Sequence, residues 1–178
     1  MIREAKAPPP ATTEQSATLD CKSISLCQVI SDDREFLLRL YTDTRLHELD
    51  AVPWNDDQKR AFIEMQFRAR NKQYDSLYPQ AHSTIILYGD EPVGRMLVDR
   101  SGREIVLIDI ALMLEHRNAG IGTRLITGLM NEAASTGQSI RLHVLATSAA
   151  VRLYERLGFS RGGSDGAYLE MNWRPPLS

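Results

Sequence analysis

The chain has 178 residues, 43% hydrophobic and 25% charged, with a formal net charge of −2. That length allows one domain with a full apolar core, and the near-neutral charge argues against a dedicated nucleic-acid binder, whose domain is usually basic. No apolar run approaches the roughly 18 residues of a membrane span, and the N-terminus lacks an apolar signal core, so the expected compartment is the cytoplasm and no membrane partner is expected.

Residues 1–20 carry Pro8-Pro9-Pro10 and small polar residues with little to bury, and are expected to form a flexible tail. The domain is expected to run over 21–174, with a short tail over 175–178. Ile24, Leu26 and Val29 alternate as a first strand. Asp32 and Glu35 have the spacing of a cap for a helix whose stripe is Leu37, Leu40, Tyr41 and Thr44. Val52-Pro53-Trp54 breaks the chain, and Asn55 caps a second helix expected to carry Phe62, Met65 and Ala69 inward.

Strands follow at 84–88 and 93–98, joined by the hairpin residues Gly89-Asp90-Glu91-Pro92, and then at 105–114. The next helix, about 120–135, aligns Ile121, Leu125, Leu129 and Ala133 and can end at Gly137. A strand at 140–145, a helix at about 147–156 ending before Gly158, and a strand at 168–173 complete the order β-α-α-β-β-β-α-β-α-β. Cys21 and Cys27 are the only cysteines, and in an intracellular protein they are expected to be small core residues rather than a disulfide. With His47, His82, His116 and His143 they make no CxxC or HExxH spacing, so no metal is expected.

The segment from Asp109 to Thr123 is the most informative. A long apolar strand holding one carboxylate leads to Arg117-Asn118-Ala119-Gly120-Ile121-Gly122 and a helix start. Unpaired amides at a helix N-terminus suit an anionic ligand, usually a phosphorylated one. A dinucleotide fingerprint needs a third glycine where Leu125 stands and an acid about 20 residues on, where Leu142 and His143 stand. A Walker loop needs Gly-Lys-Ser/Thr, and Gly122 is followed by Thr123-Arg124. Both patterns fail.

About 25 residues later comes Ala150-Val-Arg-Leu153-Tyr154-Glu-Arg-Leu-Gly158-Phe159. The two segments together resemble the GCN5-related N-acetyltransferase (GNAT) superfamily. Arg117, Gly120 and Gly122 match its Arg/Gln-x-x-Gly-x-Gly/Ala loop, and Ala150, Leu153, Tyr154, Gly158 and Phe159 match its Ala-x-x-Leu-Tyr-x-x-x-Gly-Phe motif. The order of elements is also similar from about residue 22 to 173. The resemblance implies an α/β (α+β) fold with a mixed, mostly antiparallel central sheet flanked by helices. It implies acetyl-CoA as co-substrate, a small-molecule or peptide amine as acceptor, and room for a homodimer.

By the same resemblance the coenzyme contacts fall on Leu112, Met113, Leu114, Arg117, Asn118, Ala119, Gly120, Ile121, Gly122 and Thr123. The backbone of Leu112 and Leu114 would take the pantetheine arm. Proline is common in the family where Leu114 stands, a departure that a backbone contact survives. The family's asparagine before the Leu-Tyr pair is missing, and Thr147 or Ser148 can cap the helix or bind the pantetheine instead.

Acetyl transfer to an amine needs the amine neutral. For a lysine-like ammonium, losing the proton at pH 7 costs about 4.6 kcal/mol. The departing thiolate gains from a proton donor, and Tyr154 resembles the family tyrosine that protonates the sulfur, rather than a merely packing aromatic. Asp109 is the lone charge of its strand and is expensive there unless hydrogen-bonded or functional. Some relatives read Glu-Asp-Ile-Ala-Val at this place, with the glutamate discussed as base, whereas this chain reads Ile108-Asp109-Ile-Ala-Leu. Asp109 therefore stands as either base or orienting group, and Glu104 and His143 are weaker candidates.

The acceptor is expected against residues 47–54, with Trp54, Tyr74 or Tyr78 as walls and Glu48 and Asp50 as attractors of a cation. Arg68, Arg70 and Lys72 are expected on a solvated helix face. A non-catalytic acyl-CoA-binding or interaction module of the same fold is the alternative, motivated by Ile108.

Overall fold

The computed structural model describes residues 23–176, leaving the expected 1–20 tail, Cys21 and residues 177–178 outside the description. In chain order the elements are β1 (Ile24–Gln28), α1 (Arg34–Arg45), α2 (Asp56–Leu77), β2 (His82–Tyr88), β3 (Glu91–Asp99), β4 (Glu104–Leu112), α3 (Ile121–Thr136), β5 (Ser139–Leu145), α4 (Ala150–Arg156), β6 (Ser160–Asp165) and β7 (Tyr168–Trp173). One seven-stranded sheet takes the order β1-β2-β3-β4-β5-β7-β6. All its pairings are antiparallel except β4 with β5. The mixed, mostly antiparallel sheet flanked by helices is the expected class.

Local chemistry explains most boundaries. Asn55 Oδ1 accepts from the Gln58 amide at 2.9 Å, while Gln58 Oε1 accepts from the Asn55 amide at 3.0 Å, a reciprocal cap that starts α2. Before α1 the capping carboxylate is Asp33, not Asp32: it accepts from the Ile30 amide at 2.9 Å across a short 3-10 turn. Gly137 ends α3, its amide reaching back to the Ala133 and Ala134 carbonyls.

The inward stripe of α2 is shifted from the expected one. Ile63 and Phe67 are buried, whereas Met65 and Ala69 face solvent. The cause is phase: 63, 67, 70 and 74 lie on one helical face, and the partner surface is set by Tyr41 and Leu49, which cluster with Ile63 and Phe67. Cys27 is exposed on edge strand β1, not in the core. β6 is an additional strand, invisible as apolar alternation because it reads Ser-Arg-Gly-Gly-Ser-Asp; it pairs with β7 through a bulge between Arg161 and Ser164.

The main core lies between the sheet and helices α3 and α4, and includes Ile105, Leu107, Ile126, Leu129, Leu142 and Met171. Two features of β4 then set up the site. A bulge shifts the register so that Leu97 faces Asp109 and Val98 faces Leu107, leaving Ile108 as the extra residue. Ile105 and Leu107 before it, and Ile110 and Leu112 after it, pack on the same core. Asp109 is thereby delivered to the opposite face, where it meets Arg70 of α2.

The second feature is a gap. β4 and β5 pair only over residues 104–107 with 139–142, while β4 stays bonded to β3 as far as Leu112 and β5 to β7 as far as Leu145. This parallel pair, the only one among the described residues, therefore splays open toward its C-terminal end.

Candidate active site

The gap exposes main chain on its β4 side. The Met113 amide donates to the Val93 carbonyl at 2.9 Å, which makes Leu112 and Gly94 a non-hydrogen-bonded antiparallel pair. Leu112 therefore turns its own amide and carbonyl away from β3, into the gap. Its carbonyl accepts from Arg117 Nε at 2.9 Å, so Arg117 ties the loop to the strand end. β4 stops at Leu112 rather than continuing to Leu114, which opens a 3-10 turn and whose carbonyl accepts from the Arg117 amide at 3.2 Å. Leu114 and Leu145 are exposed apolar side chains at the open end of the gap.

The glycine loop follows at once. Asn118 and Gly120 both have left-handed backbone, at φ 60° and 80°. A Cβ at position 120 would meet no atom within 4 Å, so it is the dihedral angle, not crowding, that calls for glycine. Arg124 is the first residue to bond back into α3, to the Gly120 carbonyl at 3.1 Å. The amides of Ile121, Gly122 and Thr123 are left unpaired at the helix start, as the geometry of a first turn requires. At Gly122 the nearest atom to an added Cβ would be Leu153 Cδ2 at 3.7 Å, an ordinary contact, so the protein itself leaves that space open. Asn118, Ala119 and Thr123 are exposed there, while Met113 and Ile121 bury their side chains and offer only main chain. Ser148 takes the capping role: its Oγ accepts from the Ala150 amide at 3.2 Å, and α4 starts at Ala150.

Tyr154 of α4 is 5% exposed and packs on Phe159 with ring centroids 5.5 Å apart. Burial, with a smaller push from the charge of Asp109, raises its phenol to about 12. The tyrosine is therefore fully protonated at neutral pH, as a proton donor must be. Asp109 and Tyr154, 45 residues apart in sequence, sense each other electrostatically.

Around Asp109 the structure assembles a polar cluster that the sequence reading missed. Arg70 is not on a solvated face: its guanidinium lies 4.4 Å from the Tyr41 ring centroid and 5.6 Å from that of Tyr74. Its Nη1 is 3.7 Å from Asp109 Oδ2. Arg95 of β3 is 7% exposed and donates from Nε to Ser83 Oγ at 3.0 Å and from Nη1 to Asn71 Oδ1 at 3.3 Å. Burial lowers the pKa of Arg95, against the pull of Asp109, and burial followed by Asp109 raises the Tyr74 phenol. The signals were present in the sequence. Position 70 continues the Ile63, Phe67 stripe, and Arg95 is the one charge inside the apolar run of β3.

The other candidates each have a neighbour in the fold. Glu104 Oε1 accepts from Arg141 Nε at 2.8 Å, and His143 lies 3.7 Å from Glu170 on the neighbouring strand. Glu48 pairs with Arg45 at 3.0 Å on the surface. Trp54 packs edge-on against Phe62 at 5.1 Å. Tyr78 lies at the far end of α2, beside a cavity of about 450 Å³ at the paired starts of β4 and β5, away from the gap. Among the described residues no group of three or more His, Cys, Asp or Glu is placed to hold a metal ion, and no helix is long and apolar enough to cross a membrane.

A splayed parallel pair beside a glycine loop at a helix start is the architecture of an acyl-CoA-dependent acetyltransferase. The chain belongs to the acetyltransferase (GNAT) family, whose model matches residues 34–159. Its fold is similar to that of the PaiA N-acetyltransferase of Thermoplasma acidophilum in complex with coenzyme A, at 16% identity and TM-score 0.65, covering 85% of this chain and 99% of that one. An acetyltransferase of Thermus thermophilus is similar at 17% identity and TM-score 0.64, over 86% and 98% of the two chains. A Corynebacterium glutamicum protein described as histone acetyltransferase HPA2 and related acetyltransferase is similar at 22% identity and TM-score 0.59, over 88% and 98%. No curated protein sequence matches the chain.

Proposed function

We propose that the protein transfers an acetyl group from acetyl-CoA to a primary amine by direct attack, with Tyr154 as the proton donor to sulfur and Asp109 as the group that receives the ammonium. The observation that carries this reading is the gap itself, with the unpaired amides of residues 121–123 at one side and the protonated Tyr154 near Asp109. The diphosphate would sit on those amides, where the helix dipole contributes roughly 0.3–1 kcal/mol. The pantetheine arm would run along Leu112 and place its thioester near Tyr154.

The protons balance as follows. The ammonium loses one proton through Asp109 to solvent, and the neutral amine attacks the thioester carbonyl. The tetrahedral adduct then carries a protonated nitrogen. When the C–S bond breaks, the sulfur takes a proton from Tyr154, which regains one from that nitrogen as the amide forms. Because the phenol stands at about 12 and a thiol near 8.5, complete transfer from Tyr154 alone is uphill by roughly 5 kcal/mol. The donor therefore acts in step with the nitrogen that reloads it.

The competing reading, a coenzyme-binding module without turnover, is favoured by Ile108, the apolar residue where some relatives have glutamate. The two separate in one assay. Thiol release from acetyl-CoA that depends on an added amine supports transfer. Coenzyme binding with no release across a broad amine panel supports the module.

A further inference from the structure

Arg70 Nε and Asp109 Oδ2 are buried atoms with no hydrogen-bond partner among the described residues. They belong to the same pair, whose closest approach of 3.7 Å is too long for a hydrogen bond. A buried guanidinium N–H and a buried carboxylate oxygen left unmade are costly. The pair is therefore not closed on itself, and both groups keep unused hydrogen-bonding capacity.

Charge points the same way. Arg70 and Arg95 face the single carboxylate of Asp109, and the partners of Arg95 are the neutral Ser83 and Asn71. The acids nearby are committed elsewhere or exposed: Glu64 is held by Arg34 and Arg68, Glu48 by Arg45, and Asp75 faces solvent. Among its buried groups the cluster carries one positive charge in excess, which Asp75 offsets only from the surface by acting on Arg95, in a setting where buried charges are normally paired.

We propose that this cluster receives the acceptor as a free α-amino acid, Asp109 taking its ammonium and Arg70 its carboxylate; the proposal rests on the N-acetyltransferase reading of the gap. An α-amino acid carries both groups on one carbon, which suits a guanidinium and a carboxylate 3.7 Å apart. The Arg70 and Asp109 side chains keep 21% and 17% of their surface exposed, and through it the guanidinium can meet the carboxylate and the aspartate the ammonium. Once the ammonium loses its proton, the bound species is an anion and the excess charge is neutralised, so the two arginines favour the deprotonation that attack requires. A peptide N-terminus has no carboxylate beside its amine. Polyamines and aminoglycosides would add positive charge to a cluster that already has too much.

The test pairs free α-amino acids with their α-carboxamides, together with spermidine and kanamycin, in thiol release from acetyl-CoA and in melting-temperature measurements. At least one amino acid is expected to react with a KM roughly 10- to 100-fold below that of its carboxamide. Arg70→Gln should raise KM for the acid by a similar factor and lower its kcat, because the deprotonated amine loses a supporting cation, with a smaller change in KM for the carboxamide, and should keep the thermal shift given by acetyl-CoA. Carboxamides, spermidine or kanamycin reacting as well as every free amino acid overturn the proposal while leaving acetyl transfer intact. An amino acid that raises the melting temperature of the wild type but not of Arg70→Gln, without thiol release, upholds the site and overturns acetyl transfer. No response to any amino acid in either assay overturns the proposal.

Discussion

Tyr154 joins chemistry to stability at the scale of one side chain. Its folded-state phenol, at about 12, lies above the value near 10 of an unfolded tyrosine. The native state therefore holds its proton longer than the unfolded chain does. The corresponding stability is fully present below pH 10 and is lost as pH rises from 10 to 12, by about 2–3 kcal/mol. Urea unfolding of wild type and Tyr154→Phe at pH 9 and pH 11.5 checks this: the wild type should lose more stability than the variant between those values. Tyr154 was legible in sequence from the Leu-Tyr pair and the Gly158-Phe159 that follow it. Arg70 was not, because its neighbours Arg68 and Lys72 made a charge run look like a wet face, and only the phase of α2 against Tyr41 decides which arginine turns inward.

Among the elements, β4 carries most of the functional consequences, through its bulge and its splayed end. A Cβ on Gly94 would collide with the Ala111 carbonyl and press on Leu112 Cδ2 at 2.8 Å, at the end of β4 where Arg117 anchors the loop. Gly94→Ala should lower stability by about 1–3 kcal/mol, read as a shifted urea midpoint, and should weaken acetyl-CoA binding because Leu112 is displaced. Strands and helices with regular apolar spacing, such as α3 with Ile121, Leu125, Leu129 and Ala133, were legible from sequence. The bulge at Ile108 was not, since an extra residue at the end of Ile105-Val106-Leu107-Ile108, apolar at every position, leaves no periodic trace. β6 was hidden for the opposite reason: it has no apolar residue and is held by its pairing with β7.

For the molecule as a whole, ligand binding and turnover are the quantities that matter. Acetyl-CoA at about 100 times its Kd should stabilise the folded state by about 2.7 kcal/mol, which for a chain of this size is a rise of roughly 5–10 °C in melting temperature. The glycine loop at the start of α3 was legible because it is built from contiguous residues. The polar cluster was not, because Arg70, Arg95, Asp109 and Tyr154 come from four different elements and meet only in the fold. The most direct measurement is amine-dependent thiol release from acetyl-CoA by wild type and Tyr154→Phe. Wild-type turnover should require an amine, and the variant should lose about 100-fold in kcat while its KM for acetyl-CoA stays within about twofold. No amine-dependent release by the wild type, or an unchanged kcat in the variant, would contradict the assignment of this gap as an acetyl-transfer site.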